Sequence, residues 1–133
     1  MISTKGRYAI RVLLDLAEQK SENYIPLKDI SERQGISKKY LEIIAKEMVA
    51  GGLIEGASGK GGGYRLRRAP EEYTIYEVLE LMEGSLAPVV CVAAARNDCP
   101  RKNECETLPM WIEYDNLIRN FFEGKTLKDL MKQ

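Results

Sequence analysis

The side chains with the most chemistry to offer are Cys91, Cys99 and Cys105, three thiols within fifteen consecutive positions. Thiolates are soft ligands, and a segment of this length can converge them on an iron-sulfur cluster or on zinc. No CxxC pair is present, so neither a zinc ribbon nor a ferredoxin-type run is indicated. An odd count also forbids a full set of internal disulfides, and three thiols bound to nothing remain the plain alternative. The chain contains no histidine, so a four-coordinate site needs another donor. The nearby candidates are Asp98, Glu104 and Glu106, with Asn103 or a group from a partner subunit as the alternative. The missing imidazole also removes the commonest general base and every Ser-His or Cys-His pair, which speaks against an enzyme.

The cysteines sit in SLAPVVCVAAARNDCPRKNECET, a stretch without sustained periodicity that reads as a ligand loop. Helical patterns flank it on both sides. Upstream, Thr74 and Glu77 are spaced as a capping box, opening a helix whose buried stripe is Ile75, Val78, Leu79 and Met82 and which Gly84 ends. Downstream, residues 108–122 place Met110, Trp111, Tyr114, Leu117, Ile118, Phe121 and Phe122 in a broad apolar band. So wide a band suits a helix that packs its own domain on one edge and a second subunit on the other. Trp111, Tyr114, Leu117, Ile118 and Phe121 are the expected dimer contacts, burial within one chain being the alternative. Gly124 breaks this helix, Thr126 and Asp129 cap a short final one, and residues 131–133 are expected to fray.

Earlier in the chain, residues 29–64 read as a helix-turn-helix followed by a glycine-tipped hairpin. Ile30 begins a short helix that Gly35 ends, Ile36 seats the turn, and Ser37 caps a second helix. In that helix Leu41, Ile44, Ala45, Met48 and Val49 form the apolar stripe. Its start carries Ser37, Lys38, Lys39, Tyr40 and Glu42, groups suited to phosphates and base edges of a major groove. Two lysines alone would only solvate a helix face; two helices, a glycine turn and a basic hairpin in succession point to duplex DNA. The hairpin is expected to pair residues 53–55 with 64–67, and the amides of Gly61 and Gly62 stay open at its tip. Lys60, Arg65, Arg67 and Arg68 line it with positive charge. No spacing fits a nucleotide-binding loop, because Lys60 is followed by Gly61 rather than by Ser or Thr. Residues 3–19 form a first helix with Ile10, Leu13, Leu14, Leu16 and Ala17 inward. Lys5, Arg7 and Arg11 near its start are available to phosphate or to solvent.

Formal charge is zero over 133 residues, but its distribution is not even. Residues 1–70 hold 13 Lys plus Arg against 8 Asp plus Glu, while residues 71–133 hold 7 against 12, so +5 faces −5. A basic half facing an anion and an acidic half doing something else is the expected division. No run of about 18 apolar residues is present, and the start MISTKGRYAI lacks the apolar core of a signal peptide, so a cytoplasmic protein without membrane contact is expected. Such a protein is mainly α with a small β-hairpin. It divides into a winged helix-turn-helix unit over 1–83, a cysteine loop over 84–106, and a dimerisation helix with a short terminal helix over 107–133.

The pieces STKGRYA, DISERQGIS, YLE, GGGY, the three-cysteine loop and the Trp-bearing helix after it together resemble the IscR/NsrR-like iron-sulfur cluster regulators, a family of bacterial winged-helix transcription factors. The resemblance covers nearly the whole chain. It implies a homodimer on a palindromic operator, each recognition helix in a major groove and each wing in a minor groove. It also implies a [2Fe-2S] cluster held by three cysteines and a histidine, with Cys91, Cys99 and Cys105 in the cysteine positions. The histidine position, three residues after the last cysteine, is Leu108 here. Glu42 matches a recognition-helix glutamate that helps discriminate operator classes, whereas the arginine expected in the wing is Ser58, which leaves minor-groove reading to Lys60. A branch of the same fold that regulates cysteine metabolism lacks the cluster cysteines, which sets this chain apart from it. Use of the thiols for zinc or direct oxidation sensing is the alternative, and an electron carrier would have no use for a basic helix-turn-helix.

Overall fold

The computed structural model describes residues 1–93 and 99–132. Its elements in chain order are α1 (Thr4–Glu18), α2 (Leu27–Gln34), α3 (Lys38–Ala50), β1 (Ile54–Ala57), β2 (Gly63–Leu66), a 3-10 turn (Pro70–Glu72), α4 (Ile75–Glu83), α5 (Val90–Ala93), α6 (Leu108–Glu123) and α7 (Leu127–Leu130). The architecture is mainly helical with one antiparallel hairpin, as the periodicity predicts.

α1 forms the centre, touching α2, α3, α4 and α7. Ser3 starts it by accepting the Gly6 N–H at 3.1 Å, which satisfies one of the four orphan donors of a helix start. Leu13, Leu16 and Ala17 are buried as expected, but Ile10 and Leu14 are only half-buried, and Ala9 and Val12 take the centre. A helix surrounded on several sides buries more than one stripe. Its Asp15 is 3% exposed and is held by Arg33 Nη2 at 2.8 Å, Arg33 Nε at 3.0 Å and Gln34 Nε2 at 2.9 Å. That forked pairing fixes α2 across α1, and the bonded carboxylate holds the Arg33 guanidinium above its ordinary pKa.

α2 begins at Leu27, not at Ile30, with extended Pro26 as its cap residue. Lys28 and Asp29 tolerate helix, and Asp29 in the first turn faces the positive end of the helix dipole. Gly35 ends α2 at φ 66°, a left-handed conformation that glycine reaches without steric cost. Ile36 is buried behind it and Ser37 caps α3 by accepting the Tyr40 N–H. Leu41, Ile44, Ala45 and Met48 are buried as predicted; Val49 is instead 41% exposed, because it turns toward the hairpin.

The hairpin pairs Ile54 with Leu66, Glu55 with Arg65, Gly56 with Tyr64 and Ala57 with Gly63. Leu53 and Arg67, expected in the strands, lie just outside. Buried Tyr73 holds them there: its hydroxyl donates to Leu53 O at 2.6 Å and accepts the N–H groups of Arg67 at 2.9 Å and Arg68 at 3.2 Å. Ile25 adds a bridge on the far side of Tyr64, exchanging both backbone hydrogen bonds with it.

Thr74 caps α4 by accepting the Glu77 N–H, but Glu77 turns its carboxylate to Arg68, so the reciprocal arm of the expected capping box is not made. The chain end returns to this body. Ile75 N–H meets Lys125 O at 2.8 Å, Leu127 N–H meets Tyr73 O at 3.1 Å, and Leu127 is fully buried in the core shared with α1, α3 and α4. The terminal capping box of Thr126 and Asp129 is present in both directions. Gln133 lies outside the described residues.

Candidate DNA-binding face and cysteine segment

α3 presents its start to solvent. Ser37, Lys38, Lys39 and Glu42 are exposed, while Tyr40 is half-buried with its ring edge-on to Tyr8 at 5.8 Å between centroids. Lys46, which the sequence reading passed over, is exposed on the same helix and lines a cleft of about 680 Å³ between α3 and the hairpin. Glu42, Val49, Gly56, Ala57, Ser58 and Tyr64 complete that cleft. Its signal lay in the spacing: Lys46 follows Glu42 by four residues, so it shares that residue's face.

The cations expected on this face divide by what they hold. Lys5 is bound to Glu47 at 3.0 Å and so carries its charge partly neutralised. Arg7 is exposed and donates to Thr4 Oγ1 at 3.1 Å. Arg11 bonds Gln34 and lies over the Tyr8 ring, which makes it part of the α1–α2 contact. In the hairpin, Arg65 pairs with Glu55 across the strands and stacks on Tyr24, and Arg68 pairs with Glu77 and stacks on Tyr73. Both carboxylates hold their guanidinium groups above the ordinary arginine pKa. Arg65 and Arg68 therefore brace the hairpin base rather than offer free charge, which corrects the reading of a uniformly basic hairpin. Lys60 and Arg67 are exposed. At the tip Gly61 adopts φ 78°, and the Gly62 N–H is spent on Gly59 O at 3.0 Å, so that amide is not open as expected.

The cysteine segment leaves the end of α4. Cys91 lies on the short helix α5, where a loop was expected, and is half-buried; Cys105 is half-buried and Cys99 exposed. Turns from Cys99 O to Lys102 N–H and from Arg101 O to Glu104 N–H shape the segment before Cys105. Cys105 Sγ lies 3.3 Å from Thr107 Oγ1; the hydroxyl, backbone hydrogen bonds from Thr107 and Leu108, and the charge of Arg101 hold its thiol below the usual range. Glu104 and Glu106 are exposed, Asp98 lies outside the described residues, and Leu108 is the half-buried first residue of α6. By chemistry, three thiols suit an iron-sulfur cluster. By geometry, no group of three Cys, Asp or Glu side chains is gathered among the described residues, and the aliphatic Leu108 offers no donor.

α6 carries no fully buried residue along its 16-residue length. Trp111 and Ile118, expected at a partner subunit, are half-buried and help line a cleft of about 430 Å³ with Ile2, Leu86 and Phe122 of their own chain. Tyr114, Leu117 and Phe121 are exposed, with Leu117 at 62% and Phe121 at 58%. The helix thus leans with one side on the linker from α4 and the chain start, where exposed Tyr114 also lines the cleft, while Leu117 stands in solvent and the Phe121 ring meets Phe122 and Lys125.

Comparison with known proteins fits this geometry. An IscR transcriptional regulator from Vibrio campbellii is 37% identical over 131 residues, covering 98% of this chain and 77% of the relative. The IscR of Aliivibrio salmonicida is 36% identical over 130 residues, covering 98% and 76%. Among solved structures, CymR, the global cysteine regulator of B. subtilis, superposes with a TM-score of 0.76 at 30% identity over 98% of this chain and 95% of that one. T. potens IscR superposes with a TM-score of 0.73 at 30% identity, covering 98% and 85%. The named relatives are transcriptional regulators rather than enzymes, and among the described residues no helix is long and apolar enough to cross a membrane. Residues 2–133 match the family model described as Rrf2, iron-dependent transcriptional regulator, and the chain belongs to that family of winged-helix regulators.

Proposed function

We propose that this chain is a homodimeric repressor that binds a palindromic duplex operator and responds to iron-sulfur, nitric oxide or redox status through Cys91, Cys99 and Cys105. The observation that carries the DNA half is the pairing of an exposed, cationic α3 start with a hairpin across one shared cleft. A recognition helix in the major groove with a wing beside it needs that arrangement. Residues 1–83 then read DNA, 84–106 sense, and 107–133 join two copies, with α7 pinning the last segment to the first. Cytoplasmic location follows from the DNA partner.

For the sensing half, Cys91, Cys99 and Cys105 would hold a [2Fe-2S] cluster, with Glu104, Glu106, a partner-subunit group or an external thiol in the fourth position. Such a cluster supplies an oxidant-labile centre when bound. The residues of this chain do the rest: Thr107 keeps the Cys105 sulfur polarised, and α5 and the start of α6 hold two of the thiols half-shielded from solvent. A second reading uses the same thiols without a cluster, as a zinc site or a direct oxidation switch. The missing histidine, and thiols that among the described residues are not gathered with Asp or Glu into a group of three, favour the oxidation switch.

The test is anaerobic purification and reconstitution, followed by visible absorption, iron and sulfide analysis, and DNA-binding assays on each form. Iron with equimolar sulfide and a changed affinity for duplex supports the cluster. Zinc without sulfide, or affinity that follows thiol oxidation alone, supports the second reading. No duplex enriched from a random pool by any form would overturn the DNA function.

A further inference from the structure

Ile43 stands at the middle of the solvent side of α3 and is 49% exposed. Leu41, Ile44, Ala45 and Met48 define the inward side of this helix. At about 100° per residue, Lys39, Ile43, Lys46 and Ala50 run along the opposite side. Ile43 neither joins the hydrophobic core nor lines the cleft toward the hairpin. A single exposed isoleucine on an arbitrary surface needs no explanation. Its position decides here, because the same exposed face carries Lys39 and Lys46, with Glu42 beside them, the groups that would face DNA in the proposed complex.

In the major groove every base edge offers a donor or an acceptor, and thymine alone adds an apolar group, its 5-methyl. An isoleucine side chain can neither donate nor accept. Against guanine or cytosine it would dehydrate polar edges without replacing their hydrogen bonds, whereas against thymine it covers one methyl group with another. Lys39 and Lys46, exposed one turn to either side, are the cations that would hold this side chain against the groove in the proposed complex. We infer that Ile43 is a specificity-determining residue that selects thymine through its 5-methyl group at one place in each operator half-site; this rests on the DNA-binding reading above.

The test begins with duplexes enriched from a random pool by the full chain. Each thymine of the best duplex is then replaced singly by deoxyuridine, which removes the methyl and nothing else. The expected result is one position per half-site where the change weakens the parent about fourfold, the scale of one buried methyl group. Ile43→Ala should bind the two duplexes alike, and Ile43→Val should restore most of the discrimination. Equal uracil profiles for the parent and Ile43→Ala, or no thymine position that matters to the parent, would overturn the inference while leaving DNA binding intact. Enrichment of no duplex at all would overturn both.

Discussion

Glu83 Oε1 accepts two hydrogen bonds from Ser3, 80 residues away: one from its backbone N–H at 2.9 Å and one from its hydroxyl at 2.7 Å. A carboxylate in the last turn of α4 is poorly placed for that helix's own dipole, but here it faces the positive start of α1. The contact joins the point where the cysteine segment begins to the helix that carries Lys5. Gly6 permits it, since a Cβ there would collide with the same carboxylate oxygen.

Glu83→Ala should cost about 1–2 kcal/mol in urea unfolding, the scale of charge-assisted hydrogen bonds at a half-buried site. Gly6→Ala in the parent should also destabilise, because it displaces Glu83. In the Glu83→Ala background the same glycine change should be neutral or stabilising by about 0.5–1 kcal/mol, as alanine is the better helix former. Additive costs in the double variant would show that Gly6 serves some other contact.

Tyr73→Phe should lower stability by about 1–3 kcal/mol, since three backbone groups lose their shared partner while the buried ring stays. Hydrogen exchange at the Arg67 and Arg68 amides should rise together. Unchanged protection at both would mean that the strand pairing, not the hydroxyl, holds the hairpin base.

The elements whose signals are local were legible in the sequence. Ser37, Gly35, Gly84 and the Thr126–Asp129 box mark their helix ends as spacing alone predicts, because caps are satisfied within a few residues. What was not legible depends on distant partners. Arg65 and Arg68 look like free charge until Glu55 and Glu77 are brought beside them. Tyr73 gives no sign in sequence of the three backbone groups it will gather. The start of α2 lies a turn before Ile30 because the Pro26 carbonyl takes the Asp29 and Ile30 N–H groups, a backbone contact that no side-chain spacing marks. For the cysteines, residue type points to soft-metal chemistry, yet spacing on an irregular segment does not set where the thiols point.

The exposed side of α6 gives the dimer hypothesis its sharpest form. Leu117→Glu should yield monomers in sedimentation, since burying one such side chain is worth about 1.5–3 kcal/mol before the cost of burying a charge is added. Trp111→Ala should weaken the dimer less than Leu117→Glu does, because half-buried Trp111 already lines a cleft with Ile2, Leu86 and Phe122 of its own chain. A Leu117→Glu protein that stays dimeric at micromolar concentration would place the interface elsewhere.

The final expectation separates cations that meet phosphate from those already engaged. Each lysine that contacts a phosphate releases counterions, so its loss flattens the plot of log affinity against log salt by about one unit. Lys38, Lys39 and Lys60 are exposed on the α3 start and the hairpin tip and should each behave so when changed to Ala. Lys5 is held at 3.0 Å by Glu47, so Lys5→Ala should change the slope by less than about half a unit. Lys46 in the cleft, one helical turn beyond Glu42, should act like the first three. The measurement is fluorescence anisotropy on one enriched duplex across a salt series, with every variant checked for parent-like circular dichroism. Equal slopes for the parent and the Lys38, Lys39 and Lys60 variants would remove this face from the DNA contact. A full unit lost at Lys5 would show that its pair with Glu47 opens when DNA arrives.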